Sequence, residues 1–250
     1  MGRALLEVCC GSADDVIQAQ WAGADRVELN SDLFHGGLTP TLGALIVAKR
    51  ETGIQVMAMV RPREGGFCYT PAEFDTAVED AKLLLDYGAD GLVFGVLQPD
   101  GTLDKGRTRV LVELCRSAGR EAVFHRAIDV VPDWREAFDA LMDLGVDRVL
   151  TSGQQPTAPQ GADTIREMVR YAAGRMEILP GGGINARNVN WVLEQTGCTQ
   201  VHMSGHRQKR DPSAANDRGI HFGGCLYPPE DRFRVVDSDY ISGLTARLDR

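Results

Sequence analysis

No apolar run in this 250-residue chain approaches the roughly 20 residues a helix needs to cross a bilayer. Residues 1–10 carry Glu7 and lead into a polar stretch, so no signal-type apolar segment is expected there. Positive charge is in deficit: 27 Lys and Arg against 35 Asp and Glu give a formal charge of −8. That balance opposes nucleic acid or an anionic membrane as the main partner, since each selects a clustered basic face. Cys-x-x-Cys spacing is missing, which argues against structural zinc. A Gly-x-Gly-x-x-Gly turn after the first apolar run is also missing, which argues against a dinucleotide-binding open sheet. With no secretory signal, the six cysteines are expected to be reduced thiols of a cytoplasmic protein.

What is present is a repeated phrase. Ala22-Gly-Ala-Asp-Arg-Val-Glu-Leu29, Tyr87-Gly-Ala-Asp-Gly-Leu-Val-Phe94, Leu144-Gly-Val-Asp-Arg-Val-Leu150 and Thr196-Gly-Cys-Thr-Gln-Val-His202 share one reading. A helix ends at a glycine able to take a left-handed backbone, a turn follows, and an apolar run forms a buried strand. Further apolar runs at Leu5–Val8, Gln55–Val60, Ala122–Phe124 and Met176–Leu179 bring the strand total to eight. Helical patterns such as Pro71–Tyr87 and Trp134–Leu144 separate them. Strict strand–helix alternation means parallel pairing, and eight units in this length predict a single (β/α)8 barrel spanning residues 1–250. Residues 205–236, rich in Arg, Asp, Pro and Gly, are expected to form a long loop after the eighth strand.

In such barrels the chemistry gathers where strands end. Glu7 and Glu28 stand inside otherwise apolar strands and must be paired or hydrogen-bonded there, with Arg61, Arg63 and Arg126 as the expected partners. They form either a structural ring of ion pairs or a polar site. His125, flanked by Arg126 and Asp129, is the leading acid/base candidate. Gly181-Gly182-Gly183, with Ser152, Gly153, Ser204 and Gly205 on flanking strand ends, suits an anion site built from backbone amides. Cys9 and Cys10 adjoin and must point to opposite sides of an extended strand. Together with Met57, Met59 and Met203 they are soft ligands that would suit Cu(I), or else ordinary core filling. Cys115 and Cys198 read as structural, and Cys68 and Cys225 as loop residues.

Seven segments taken in order resemble the CutC copper homeostasis family. They are Glu7-Val-Cys-Cys10, Gly23-Ala-Asp-Arg-Val-Glu-Leu29, Gly36-Gly-Leu-Thr-Pro-Thr-Leu-Gly43, Arg61-Pro-Arg-Glu-Gly-Gly-Phe-Cys-Tyr69, Phe124-His-Arg-Ala-Ile-Asp129, Leu150-Thr-Ser-Gly153 and Pro180-Gly-Gly-Gly-Ile184. The resemblance covers nearly the whole chain. It implies a (β/α)8 barrel, a cytoplasmic protein of copper tolerance that binds copper, and a homo-oligomer. The family's polar residues would map onto Glu7, Glu28, Arg61, His125, Arg126 and Asp129. Cysteines ending the first two strands are linked to copper in some members. Cys9 matches the first of these, whereas Asn30 occupies the second position. Met203 stands where some relatives carry cysteine, and its thioether remains a soft ligand. A mouth with two glutamates, three arginines, a histidine and glycine turns exceeds the needs of a copper carrier. It suits, as an alternative, an enzyme acting on a small phosphorylated or carboxylated metabolite by acid/base chemistry.

Overall fold

The computed structural model describes residues 3–216 and 231–248. Eight parallel strands form the centre: β1 (Leu5–Cys10), β2 (Arg26–Leu29), β3 (Gln55–Met59), β4 (Gly91–Phe94), β5 (Glu121–Phe124), β6 (Arg148–Thr151), β7 (Glu177–Pro180) and β8 (Gln200–Met203). They pair in the order β7-β6-β5-β4-β3-β2-β1-β8, and a parallel bridge from Gly181 to His202 brings the two ends of the sheet together. The result is the expected (β/α)8 barrel, nearly closed.

Around it lie α1 (Ala13–Trp21), α2 (Leu42–Glu51), α3 (Pro71–Asp86), α4 (Lys105–Ala118), α5 (Trp134–Leu144), α6 (Ala162–Ala172), α7 (Val189–Thr196) and α8 (Ser238–Leu248). Local chemistry sets their starts. Thr70 accepts from the Glu73 amide while Glu73 reaches back to the Thr70 amide, and Pro71 opens the helix where no N–H is needed. Ser12, Thr41, Asp104 and Asp133 cap α1, α2, α4 and α5 with their side-chain oxygens.

The repeated phrase proves to be one structural unit. Its four glycines, Gly23, Gly88, Gly145 and Gly197, all take positive φ. Its aspartates tie each strand to the strand before it. Asp25 accepts from Leu6 N, Asp90 from Val56 N and Asp147 from Ala122 N, each at 2.8 Å.

Side-chain alternation then sorts the barrel into two faces. Leu6, Val8 and Cys10 of β1 face the helices and join the large apolar layer between barrel and helices. Inside, Met57, Met59, Val93 and Val123 form a small separate apolar cluster. Beside and beneath it the interior is ionic. Arg26 pairs with Glu7 and donates to Gln200 at 2.7 Å, Gln200 donates to Glu177 at 3.0 Å, and Arg148 bridges Glu177 and Glu121, each at 2.8 Å.

One expectation is corrected. The stretch 205–236 is not irregular throughout, because β9 (His206–Arg210) and β10 (Arg232–Val236) pair as an antiparallel ribbon. Most of its side chains are exposed, so the sequence carried no apolar alternation to announce strands. Cys225 lies outside the described residues.

Candidate functional site

A cavity of about 390 Å³ opens at the C-terminal ends of the strands. Its wall includes Cys9, Glu28, Arg61, His125, Arg126, Gly182, Gly183, Met203 and Ser204 from the sequence-based candidates. Met59, Phe67, His202, His206 and Arg234 complete much of the remainder.

On one side, β1, β2 and β8 bring three different ligand types together. One ligand atom each from Cys9, Glu28 and His202 all lie within 4.8 Å of one another, the single such cluster among the described residues. The register explains this. Cys9 stands opposite Glu28, and Glu7 opposite His202, on adjacent inward-facing positions. Glu28 Oε2 accepts from Asn30 Nδ2 at 2.9 Å and lies 3.8 Å from the Cys9 thiol. Asn30 Nδ2 also lies 3.6 Å from Cys9 Sγ, so Asn30 contacts both the carboxylate and the thiol of the cluster.

Below this cluster, His202 Nδ1 lies 2.8 Å from Glu7 Oε1. That contact leaves Nε2 as the nitrogen that can meet Cys9 and Glu28. Burial raises the carboxyl pKa of Glu7, but hydrogen bonds and charge from His202 and Arg26 overcome it and hold the group near 2. Burial would likewise depress His202, yet Glu28, Cys9 and Glu7 together raise it well above the ordinary imidazole value. Glu28 is shifted up by burial, and burial pushes the Cys9 thiol up to about 12. The Cys9 thiol and the His202 ring are therefore the members of the cluster that hold on to their protons.

The expected arginine partners of Glu7 and Glu28 are elsewhere. Glu7 is matched by Arg26, and Glu28 by the neutral Asn30. Arg61 donates instead to the backbone carbonyls of His35, Gly37 and Gly65 at 2.7–2.9 Å, pinning the loops after β2 and β3. Arg63 pairs with Glu73 at 2.7 Å, and Arg126 with Asp129 at 2.8 Å.

His125 is 4% exposed and packs against the Phe67 ring at 4.7 Å. Its Nδ1 accepts from Ala127 N at 3.1 Å. Burial first, and the Arg61 charge second, lower its pKa to about 3. Burial thus favours the neutral ring, and its Nδ1 is occupied by a backbone amide.

Several candidates stand away from the cavity. Cys10 lies in the apolar layer, where its thiol faces the Val8 carbonyl at 3.6 Å. Asp129 accepts from Thr151 Oγ1, the Ser152 amide and hydroxyl, and Gln154 N, tying the loops after β5 and β6 together. Ser152 is consumed in that knot. Gly153 donates to Thr151 Oγ1 and packs on the Gly161 carbonyl, where a Cβ would come within 2.4 Å. Gly205 sits against Ile241 and Tyr240 of α8. Met203 borders the cavity, but it follows the inward His202 and joins the apolar layer. Met59, from the inner cluster, is the thioether that also lines the cavity.

Sequence reasoning missed Arg26 as an interior charge, although the repeat announced it. Arg26 and Arg148 occupy the same place in two copies of the phrase, and both are buried in the barrel's ionic interior. His202 stood among the strand-end residues without being singled out. His206 and Arg234 come from the unexpected ribbon.

These features define a (β/α)8 barrel whose strand ends enclose a cavity with a thiol–carboxylate–imidazole cluster on its wall. The CutC family model matches residues 4–207, and the chain belongs to the CutC family. It is 53% identical to a CutC family protein of Treponema denticola, over 97% of this chain and 98% of that one. It is 39% identical to the human copper homeostasis protein cutC homolog, over 97% of this chain and 88% of the relative. A crystal structure of CutC from Streptococcus agalactiae superposes with a TM-score of 0.76 at 33% identity, covering 80% of this chain and 98% of that one. No helix among the described residues is long and apolar enough to cross a membrane.

Proposed function

We propose that this protein binds Cu(I) at the mouth of the barrel and serves copper homeostasis in the cytoplasm, with copper as its cargo. The observation that carries this reading is the Cys9–Glu28–His202 cluster with Glu7 behind the imidazole. A metal-ligating histidine characteristically gives its second nitrogen to a carboxylate, which fixes the ring and strengthens the ligand. Thiolate, imidazole and a nearby Met59 thioether are soft or borderline donors that favour Cu(I) over hard cations. A thiolate also neutralises a monovalent ion, which suits a site whose Glu28 and His202 are buried.

Compartment and assembly belong to the same reading. The cysteines of the described residues are free thiols, as a reducing compartment would keep them. A homo-oligomer belongs to the same reading, and Trp21, Trp191 and Phe233 are among the exposed apolar side chains available to it.

An anaerobic Cu(I) competition titration against a chromogenic chelator tests the proposal on wild type, Cys9→Ser and His202→Gln. One tight equivalent in wild type, lost in both variants while the fold survives, is the expected result. Equal binding in all three proteins would refute the site.

A further inference from the structure

Buried polar atoms mark a second part of the same cavity. Arg61 Nε and His125 Nε2 are both buried without a well-formed hydrogen bond, the Arg61 guanidinium having the Tyr69 hydroxyl beside it, and both belong to residues on its wall. Burying such a donor unpaired costs about 1–3 kcal/mol, so an acceptor placed there recovers a sizeable free energy. The two residues share Phe67, whose ring lies 4.7 Å from the His125 ring and 5.4 Å from the Arg61 guanidinium carbon. His125 follows β5, four strands from β1 in the sheet order, and so stands across the barrel from Cys9.

The chemistry of these donors is fixed by their surroundings. Because His125 Nδ1 accepts the Ala127 amide, the neutral ring carries its proton on Nε2. A Cβ on Gly95 would meet His125 Cε1 and Nδ1 at 2.4 and 2.5 Å, so that ring edge is pressed against backbone. His125 lines the cavity through the rest of its ring. A neutral imidazole N–H beside a guanidinium N–H demands an oxygen acceptor, and a neutral donor can polarise a carbonyl without surrendering a proton to it.

Further along the wall, Gly182 and Gly183 have φ of +94° and +73°, and their amides have no acceptor among the described residues. Arg126 lies over this turn, 3.2 Å from where a Gly182 Cβ would stand. Close-packed backbone N–H groups beside a guanidinium form an anion cradle that only glycine leaves open.

The geometry points to a binding site for a phosphorylated small carboxylate or carbonyl compound, its carboxylate or carbonyl oxygen on His125 Nε2–H and Arg61 Nε–H and its phosphate on the Gly182 and Gly183 amides and Arg126. The site is separate from the Cys9–His202 cluster and does not rest on copper binding. Both cradles belong to the wall of one cavity of about 390 Å³, and a single compound is proposed to span them.

Calorimetric titration of the metal-free protein with 2-phosphoglycolate, glycolate and inorganic phosphate tests this. Saturable 1:1 binding of 2-phosphoglycolate is expected, at least about tenfold tighter than either fragment, since each cradle adds its own hydrogen bonds. His125→Phe keeps a ring against Phe67 and removes the donor. It should weaken 2-phosphoglycolate about tenfold, leave phosphate unchanged, and leave Cu(I) titration as in wild type. Arg126→Met should weaken both phosphate-bearing probes and spare glycolate, and it decides the matter if His125→Phe does not fold. Phosphate and 2-phosphoglycolate binding equally would mean an adventitious ion only, and would overturn the proposal. So would the absence of saturable binding, or variants with unchanged affinity. None of these outcomes touches the copper reading, whose own titration can fail independently.

Discussion

Glu7 serves His202 and Arg26 at once: its Oε1 lies 2.8 Å from His202 Nδ1, and Arg26 donates to its Oε2. One buried carboxylate thus links the ionic interior of the barrel to the ligand cluster above it. Removing it would leave a guanidinium and an imidazolium buried without their anion.

Glu7→Gln is therefore expected to destabilise the fold by about 3–5 kcal/mol at neutral pH, the range for breaking one side of a buried pair. The pH dependence carries a signature. The folded-state pKa is depressed from 4.5 to about 2, so the stabilisation is complete above the unfolded value and is lost as pH falls through that window. Urea denaturation from pH 5 to pH 2 should show this loss in wild type and a flatter profile in the variant. Parallel profiles would mean that Glu7 does not carry the acid limb.

Copper affinity should rise with pH. Cys9 is held up near 12 and His202 well above its ordinary value, so both ligand atoms carry protons at pH 7 and must release them to bind metal. Apparent Cu(I) affinity is expected to increase about tenfold per pH unit for each proton released. Competition titrations at pH 6, 7 and 8 check the slope, and a flat profile would remove both groups from the ligand set.

The adjacent cysteines should separate cleanly. Cys9→Ser is expected to lower Cu(I) affinity at least about a hundredfold with little loss of stability, because its thiol lines the cavity. Cys10→Ser is expected to keep the affinity and lose about 1–3 kcal/mol, because a hydroxyl enters a fully buried apolar layer. Thermal melts and copper titrations of the two single variants distinguish the roles, and an affinity loss in Cys10→Ser would contradict the assignment.

Gly91 tests how tightly the barrel interior is filled. A Cβ there would lie 2.1 Å from Met57 Cε and 2.7 Å from the Glu121 carbonyl oxygen. The methionine can move, but the backbone cannot move cheaply. Gly91→Ala should cost about 1–3 kcal/mol in chemical denaturation. An unchanged midpoint would mean that β4 and β5 can separate locally.

Much of this was legible in the sequence, for identifiable reasons. The four glycines and the Asp that follows three of them are a local signal, repeated often enough to be read as strand-helix units. Glu7 and Glu28 declared themselves because a carboxylate inside an apolar run cannot be idle. Their partners were not legible. Arg61 meets three backbone carbonyls, and no sequence pattern records where a carbonyl will stand. Arg26 was only one residue of the repeated phrase until register set it against Glu7. His125 stood out by residue type, whose pKa lies near neutrality, and no sequence pattern recorded the Ala127 amide on its Nδ1 or the burial that lowers its pKa to about 3. The ribbon was missed because exposed strands carry no apolar alternation.

The ribbon also bears on what the barrel admits. The family model ends at residue 207, yet Arg234 on β10 reaches the cavity wall beside His206 on β9. The barrel floor and the ligand cluster thus lie within the residues the family model matches, and part of the doorway lies beyond them. Substitutions on this ribbon can therefore change which molecules enter without disturbing a single barrel strand.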